Sequence, residues 1–518
     1  MSEKLPKDRT ISGIAHIGSY GISLRIVEVK QNRMKILEAP DYPLALGKDT
    51  FTKGKIDFEK VDKISEILKG FAKLLKEYHT ENFILYATSA IREASNKAYI
   101  LDQIRVKTGM EIHILDDSEE KTRMYRKLSQ ELDKDEAFQS SDIFLTYIGT
   151  GSLGVVLTKK GDFLLTQNIH IGSLKLAEML GILQQRTDRF DVVIEEYLNT
   201  YMHTLQNLLP VDPIRYFVAS GKEIHLIMEL CGAESTSCFG VIPKDSFENL
   251  YSSIMHSTPQ QIAEMYNLSE DQAEVLLPAL SIYRQLFLVS RAETMLATKV
   301  SIMDVLIEDT LFPEYRDNWH SRLERNIIQS ARSVGEKYRY DQKHAYMVES
   351  LAGKLFDKMI NVHGLGSHER LLLQISAILH DAGKYVNVRN HAHHSYDLIR
   401  NTDLFGLSAL DVEIVSNVAR YHSVEEPSMT HPNFRELDPH HRLVVSKLVG
   451  ILRVADALDR AHEHKFNDLK VKAKKNHVDI IVETQYETIF EEWIFEAKSD
   501  FFREVFGLKP RLKKRLME

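Results

Sequence analysis

Four histidines and two aspartates between positions 344 and 456 are the side chains of this sequence best suited to hold a metal ion. Apolar stretches with a helical repeat separate them. Mixed imidazole and carboxylate ligands suit divalent ions such as Mn, Fe, Co, Ni and Zn. A metal held there would polarise a phosphoryl oxygen and supply hydroxide at neutral pH. The predicted ligands are His344, His380, Asp381, His394, His422 and Asp456.

The adjacent pair His380 and Asp381 closes an apolar segment, 374–379, that suddenly turns polar. Neighbouring side chains on a helix lie about 100° apart, so both can face one crevice. Three nearby histidines, His391, His393 and His394, compete for the next ligand position. We favour His394 because it directly precedes the helical segment 395–399.

Length and composition are those of a globular protein of several domains. The chain has 518 residues, which predicts two to four domains, with 43% hydrophobic and 27% charged residues. A net charge of −8 argues against a general nucleic-acid binder. No apolar run approaches the roughly 18 residues of a membrane span, and segment 1–7 is too polar for a signal peptide. The sequence thus predicts neither a nucleic-acid partner nor a membrane.

Cysteine is scarce, with only Cys231 and Cys238 in the chain. Two residues are too few for a disulfide framework or a zinc knuckle, so we expect a cytoplasmic protein. The basic tail 509–515 is expected to form a solvated terminal helix.

The first half alternates strand and helix patterns. Strand character flanks a tight turn at 18–21, and segment 58–78 has a helical repeat of apolar residues. Further strands are predicted at 83–87 and 142–147, and a hairpin at 155–167. Two hairpins with Gly-Ser turns suggest a duplicated fold, and backbone N–H groups in such turns can hold phosphate oxygens.

The second half resembles the HD superfamily of metal-dependent phosphohydrolases. The resemblance rests on the order His344, the pair His380–Asp381, a further histidine or two, and the distal Asp456. It implies that Lys384, shortly after the pair, meets a phosphate. It also implies a divalent metal such as Mn, Fe or Mg at this site.

The whole chain resembles the exopolyphosphatase and guanosine pentaphosphate phosphohydrolase (Ppx/GppA) family. The most specific segment is Tyr-Ala-Thr-Ser-Ala-Ile-Arg-Glu-Ala-Ser-Asn at 86–96, and turns at 148–152 and 218–221 also fit. The resemblance implies an α/β N-terminal half of two ribonuclease-H-type lobes, as in the duplicated actin, sugar-kinase and heat-shock-protein fold. An all-α HD domain and a small α+β C-terminal cap would follow.

The family resemblance also implies a phosphate-binding cleft between the lobes. Glu120 would be the catalytic base, with Glu119 as its neighbour, and Mg²⁺ is compatible with this cleft. The ligand would be polyphosphate or a phosphorylated small molecule, and a homodimer is compatible with the family. The implied phosphate contacts are Gly18, Ser19, Arg92, Gly149, Gly151, Ser152, Ser220 and Gly221.

The N-terminal cleft departs from the family pattern where carboxylates are expected. His16 stands where the first motif has aspartate, and Tyr147 and Gly154 replace the aspartate and glutamate of the second. A Mg²⁺ site built on those oxygens would lose most of its ligands. The HD set, in contrast, is complete.

Three functions remain open from the sequence. The protein is a phosphohydrolase acting at the HD site, an exopolyphosphatase using Glu120 in the cleft, or a non-catalytic sensor of polyphosphate or guanosine tetra- or pentaphosphate. The predicted domains are a first lobe at 1–133, a second lobe at 134–312, the HD domain at 320–462 and the C-terminal cap at 463–518.

Overall fold

The computed structural model describes residues 9–31, 33–184, 186–187, 189–233, 238–466, 468–474 and 476–516. The polar segment 1–7 lies outside the described residues. The chain forms two compact units, residues 1–322 and 323–518. Helix α14, Pro313–Lys337, runs through the junction expected near residue 313. The finer domain limits stay predictions.

The first repeat of the N-terminal unit is a sheet with the order β3-β2-β1-β5-β6, and β4 pairs with β2. Gly18 pairs with Gly21 across the predicted tight turn between β1 and β2, which is confirmed. Its elements are β1 Arg9–Gly18, β2 Gly21–Lys30, β3 Arg33–Glu38, β4 Asp41–Pro43, α1 Leu46–Lys53, α2 Phe58–Glu77, β5 Phe83–Ala87, α3 Ser89–Arg92, α4 Lys97–Thr108, β6 His113–Ile114, α5 Asp117–Leu132 and α6 Glu136–Gln139.

The second repeat has the order β11-β12-β10-β7-β8-β9. Its elements are β7 Asp142–Ile148, β8 Leu153–Lys159, β9 Asp162–Ile169, α7 Ser173–Gln184, α8 Phe190–Leu208, β10 Tyr216–Gly221, α9 Glu223–Leu230, β11 Phe239–Ile242, α10 Lys244–Ile254, α11 Pro259–Tyr266, α12 Glu270–Ser290, β12 Thr294–Thr298 and α13 Ile302–Leu311.

The two sheets repeat one topology. In each, an antiparallel meander of three strands is followed by parallel strands on the other side of its first strand. Helix α2 shows why the pattern predicts its fold: Val61, Ile64, Leu68, Phe71 and Leu75 recur every three or four residues and are all buried. The mixed α/β character of the N-terminal half is confirmed.

Helix α12 is the one described helix long and apolar enough to cross a membrane, with a mean hydropathy of 1.2. Within its apolar window 72% is buried inside the protein. It contributes Leu276, Leu280 and Tyr283 to the core of the second repeat. A mostly buried helix of this kind is weak support for a membrane span. Cys231 and Cys238 are free thiols, and a cytoplasmic location stays a prediction.

The C-terminal unit is helical up to residue 457. Helix α15 packs against α17 and α21, and α19 packs against the same two helices. The elements are α15 Gln342–Lys358, α16 Ile360–His363, α17 Ser367–Leu379, a 3₁₀ helix Ala382–Tyr385, α18 His391–Arg400, α19 Ala409–Arg420, α20 Pro432–Arg435, α21 Pro439–Ala457, β13 Asp468–Ala473, β14 His477–Thr484, α22 Ile489–Phe506 and β15 Lys509–Leu516.

The prediction of a terminal helix for the basic tail is wrong. The tail forms β15, which pairs in parallel with β14 from His477 to Thr484. Lys513 of this strand pairs with Asp479, which is buried. Pairing with a distant strand, together with this ion pair, overrides the local sequence pattern.

Candidate active sites

A cleft of about 610 Å³ opens in the N-terminal unit between the two repeats. The turns after β1 and β7 supply Gly18, Ser19 and Gly149 to its lining, and Gly221 lines it from the end of β10. The Cβ of any residue other than glycine at 221 would lie 2.3 Å from the carbonyl oxygen of Ile148. The sequence therefore brings the predicted phosphate turns to one cleft.

The two turns are held together by three hydroxyl groups. Ser19 Oγ lies 2.7 Å from Thr150 Oγ1, and Ser89 Oγ lies 2.8 Å from the same atom. Thr150 stands where the family pattern has glycine, so its side chain adds bulk and a hydroxyl group to the second turn. These hydroxyl groups offer hydrogen-bond donors to an anion.

Glu120 is buried at the cleft, and both of its carboxylate oxygens are already hydrogen-bonded. One accepts from the Tyr147 hydroxyl at 2.9 Å, and the other accepts from Arg92 at 3.0 Å. Glu119 pairs with Arg123 and does not line the cleft. Tyr147, which replaces the family's aspartate, thus donates a hydrogen bond to the predicted catalytic base, Glu120.

Arg92, a predicted phosphate contact, is not among the residues that line the cleft. Its guanidinium donates to Glu120, to Asp117 and to the carbonyl oxygen of Leu115. Two carboxylates and a carbonyl therefore take up donors that a phosphate would need. Arg92 thus supports Glu120, and its phosphate contact stays a prediction.

The remaining phosphate candidates lie beside the cleft instead of lining it. Ser152 Oγ bonds to Asp117 and accepts from Lys121 at 2.9 Å. Ser220 donates to the carbonyl oxygen of Thr146. At Gly151, an added Cβ would lie 2.4 Å from Glu93.

The positions that lack carboxylates are filled by other groups. Beside Gly154, an added Cβ would meet the Tyr125 hydroxyl at 2.3 Å and Lys121 at 2.8 Å. His16 lies 3.0 Å from the Thr88 hydroxyl, and burial, with the charge of Lys222, lowers its pKa to about 4. His16 is therefore neutral at pH 7. The family pattern has carboxylate ligands here for a hard cation such as Mg²⁺. This chain instead has the ammonium of Lys121, the phenol of Tyr125 and the imidazole of His16.

Four buried histidines converge in the C-terminal unit. Helix α15 supplies His344, the end of α17 supplies His380, the start of α18 supplies His391, and His422 follows α19. The Nε2 atoms of His344 and His380 lie 3.2 Å apart, as do those of His391 and His422. Three groups of three residues place their ligand atoms close enough together to hold a metal ion. These triads are His344–His380–Asp456, His380–Asp381–His422 and His344–Asp381–His462.

Each of these imidazoles is oriented by an acceptor at its Nδ1 atom. His380, His391 and His422 face the carbonyl oxygens of residues three positions earlier, at 2.8, 3.0 and 2.6 Å. His344 Nδ1 lies 2.8 Å from Asp459 Oδ2. A carbonyl oxygen only accepts, so in the neutral rings of His380, His391 and His422 the Nδ1 atom carries the proton and Nε2 presents a lone pair.

Asp381 lies between the two pairs of histidines. Its Oδ2 atom is 3.6 Å from the Nε2 atoms of His344 and His380, and its Oδ1 atom is 3.3 Å from His391 and 3.5 Å from His422. Lys384 Nζ pairs with Oδ2 at 2.5 Å, whereas Oδ1 has no hydrogen-bond partner among the described residues. Asp456 Oδ1 is also without a partner there. These two buried Oδ1 atoms, without a donor, fit the binding of a cation.

Charged neighbours shift the pKa values of residues in the cluster. Burial alone raises the pKa of Asp456, but the Lys498 ammonium and nearby histidines hold it well below its usual range. Burial lowers the pKa of His344, yet hydrogen bonds to Asp456 and Asp459 outweigh it and raise that pKa to about 9. His344 is therefore protonated at pH 7 without a metal, and it must release one proton to become a ligand. The carboxylates stay ionised at neutral pH.

The structure places His391, not His394, in the cluster. The buried positions of α18 are His391, Ala392, Ser395, Tyr396 and Ile399. At about 100° per residue, His394 lies roughly 60° outside the arc that these residues span. The choice of His394 is therefore corrected, because the sequence did not reveal the rotational phase of this helix.

Three further residues of the site were missed. Asp459 follows Asp456 by three residues, and His462 stacks on His344 with ring centroids 3.7 Å apart. Their spacing after Asp456 was a usable signal. Lys498 donates to Asp456, and no local pattern connects two residues so far apart in the chain.

These features define a class of protein: a duplicated α/β unit with a phosphate-type cleft, followed by a helical unit with a histidine and aspartate centre. Residues 25–308 match the model of the Ppx/GppA phosphatase family, and residues 328–494 match that of Ppx/GppA phosphatase domain III. The chain belongs to the Ppx/GppA phosphatase family, which confirms the prediction of a phosphohydrolase at the level of the family.

The relatives are distant. A guanosine-5'-triphosphate,3'-diphosphate pyrophosphatase of Vibrio parahaemolyticus is 22% identical over 379 residues, 73% of each chain. Exopolyphosphatase 1 of Mycobacterium tuberculosis is 28% identical over 104 residues, 20% of this chain and 30% of that protein. The crystal structure of the Aquifex aeolicus Ppx/GppA family member aligns with a TM-score of 0.49 and 17% identity, covering 59% of this chain and 99% of that one.

Proposed function

We propose that this protein hydrolyses phosphate esters or phosphoanhydrides at an HD-type divalent-metal centre in its C-terminal unit. The observation that carries the proposal is the convergence of buried Nε2 atoms on the carboxylates of Asp381 and Asp456, with the Nε2 atoms of His391 and His422 facing each other. Lone pairs directed at one another repel unless a proton or a metal cation lies between them. The ligands we propose are His344, His380, Asp381, His391, His422 and Asp456.

The donor set fits Mn, Fe or a similar ion, because such ions accept imidazole and carboxylate ligands together. When bound, such an ion would polarise a phosphoryl oxygen and lower the pKa of a coordinated water. Asp381 faces both pairs of histidines, so each of its two oxygens would serve one pair. Asp459 and the backbone carbonyl groups hold the imidazoles in the tautomer that ligation needs.

The open side of the centre carries positive groups. Lys384 has 31% of its side chain exposed and lies 3.2 Å from His462, whose side chain is 26% exposed, as is that of Arg460. The ligands themselves are almost fully buried. Lys384 and Arg460 at the rim favour a phosphoryl group over a neutral substrate.

The N-terminal cleft is proposed to bind a phosphorylated ligand without turning it over. Support comes from the hydroxyl groups of Ser19, Ser89 and Thr150 at the two turns. The names of the relatives suggest polyphosphate and guanosine pentaphosphate as ligands. The competing reading, exopolyphosphatase chemistry through Glu120, requires a base whose oxygens are not held by Tyr147 and Arg92.

Hydrolysis assays test the proposed function. We expect turnover of p-nitrophenyl phosphate or its bis ester, and of polyphosphate or guanosine pentaphosphate, to need Mn²⁺ or a similar ion and to stop with a chelator. Element analysis of the same preparation should find a transition metal. A preparation that binds no metal and hydrolyses none of these substrates with any added ion contradicts the proposal.

A further inference from the structure

Helix α22 reaches the proposed metal centre from outside the predicted HD domain. Its residues, Ile489–Phe506, lie in the C-terminal cap, beyond position 462. Helix α22 packs against α21, which carries Asp456. Lys498 on this helix is buried, with 9% of its side chain exposed.

The Lys498 ammonium makes two contacts with residues of the centre. It donates to Asp456 Oδ2 and, at 3.0 Å, to the carbonyl oxygen of His422. The other oxygen, Asp456 Oδ1, lies 3.5 Å from His344 Nε2 and 3.6 Å from His380 Nε2. Lys498 therefore holds one oxygen away from the centre and leaves the other directed into it.

We propose that Lys498 is a positioning residue of the metal centre, which makes the C-terminal cap part of the site. This inference rests on the proposed function. By fixing Oδ2, Lys498 stops the Asp456 carboxylate from rotating and keeps Oδ1 facing His344 and His380. By binding the His422 carbonyl oxygen, it also restrains the backbone of a second ligand. Hydrogen-bond partners behind metal ligands act in this way, and their loss typically costs about 10- to 100-fold in metal affinity.

The test is calorimetric titration of the metal-free full-length protein with Mn²⁺. Lys498→Met removes both donated hydrogen bonds, and we expect Mn²⁺ to bind about 10- to 100-fold more weakly. Lys498→Gln keeps an N–H donor and is expected to bind Mn²⁺ more tightly than Lys498→Met. It also provides a second variant if Lys498→Met does not fold.

Lys465→Met is the matched control. Lys465 pairs at 3.0 Å with Glu491, whose side chain is 1% exposed, so this variant also leaves a buried carboxylate of the cap without its lysine. We expect Lys465→Met to lower the melting temperature but to leave Mn²⁺ affinity unchanged. The control separates loss of stability from loss of ligand positioning.

Two results overturn the inference alone: wild-type protein that binds Mn²⁺ while both Lys498 variants bind it equally well, or variants that bind it more tightly. Tighter binding would mean that the ammonium only repels the cation. Wild-type protein that binds no Mn²⁺ overturns the proposed function, and this inference with it.

Discussion

Changing His380 and Asp381 together to alanine removes the bound metal and reduces phosphohydrolase turnover to background. His380 Nε2 faces both His344 and Asp456, and Asp381 faces both pairs of histidines, so the double change takes a ligand from every triad of the cluster. The protein should stay soluble, because alanine leaves no unpaired charge at either position. Element analysis and the assay with p-nitrophenyl phosphate give the result.

His394→Ala is the control for this prediction. His394 is half-buried on α18 and lies outside the cluster, whereas His391 is 3.2 Å from His422. Metal content and turnover should survive His394→Ala and fall with His391→Ala. Full metal content in the His380/Asp381 double variant would refute the ligand assignment.

Glu120→Gln leaves turnover within a few fold of the wild-type rate. A general base contributes about 10²- to 10⁴-fold, so loss of the carboxylate would be easy to measure if Glu120 performed the chemistry. Both of its oxygens are bonded to Tyr147 and Arg92, and the family's aspartate is absent beside it. The measurement is the rate on polyphosphate and guanosine pentaphosphate under conditions in which the His380/Asp381 variant is inactive.

The opposite pattern assigns the chemistry to the N-terminal cleft. Activity that is lost with Glu120→Gln and kept in the His380/Asp381 variant would make Glu120 the base. Activity that survives both changes would exclude both sites as assigned here.

The elements that depend on local pattern were predictable from the sequence. Helix α2 follows the spacing of its apolar residues, and the turn between β1 and β2 follows from glycines at both ends. Of the six predicted metal ligands, the structure brings five together, because their order along the chain matches helices that pack around one another. These predictions needed only the periodicity of apolar residues and the order of the ligands along the chain.

The elements that depend on distant contacts were not predictable. Strand β15 looks like a basic helix until it is paired with β14, and Lys498 reaches Asp456 only because α22 packs on α21. Arg92 was expected to meet phosphate, but three acceptors on neighbouring segments take its donors. In each case a contact distant along the chain decides the role of a residue whose type allowed several.

The most direct test of the central claim is anomalous diffraction from crystals of the full-length protein soaked in Mn²⁺. We expect a peak at the manganese edge bounded by His344, His380, Asp381 and Asp456. The peak should be absent from crystals of the His380/Asp381 variant. Wild-type crystals in which Mn²⁺ lies only in the N-terminal cleft, or in neither site, would contradict the account.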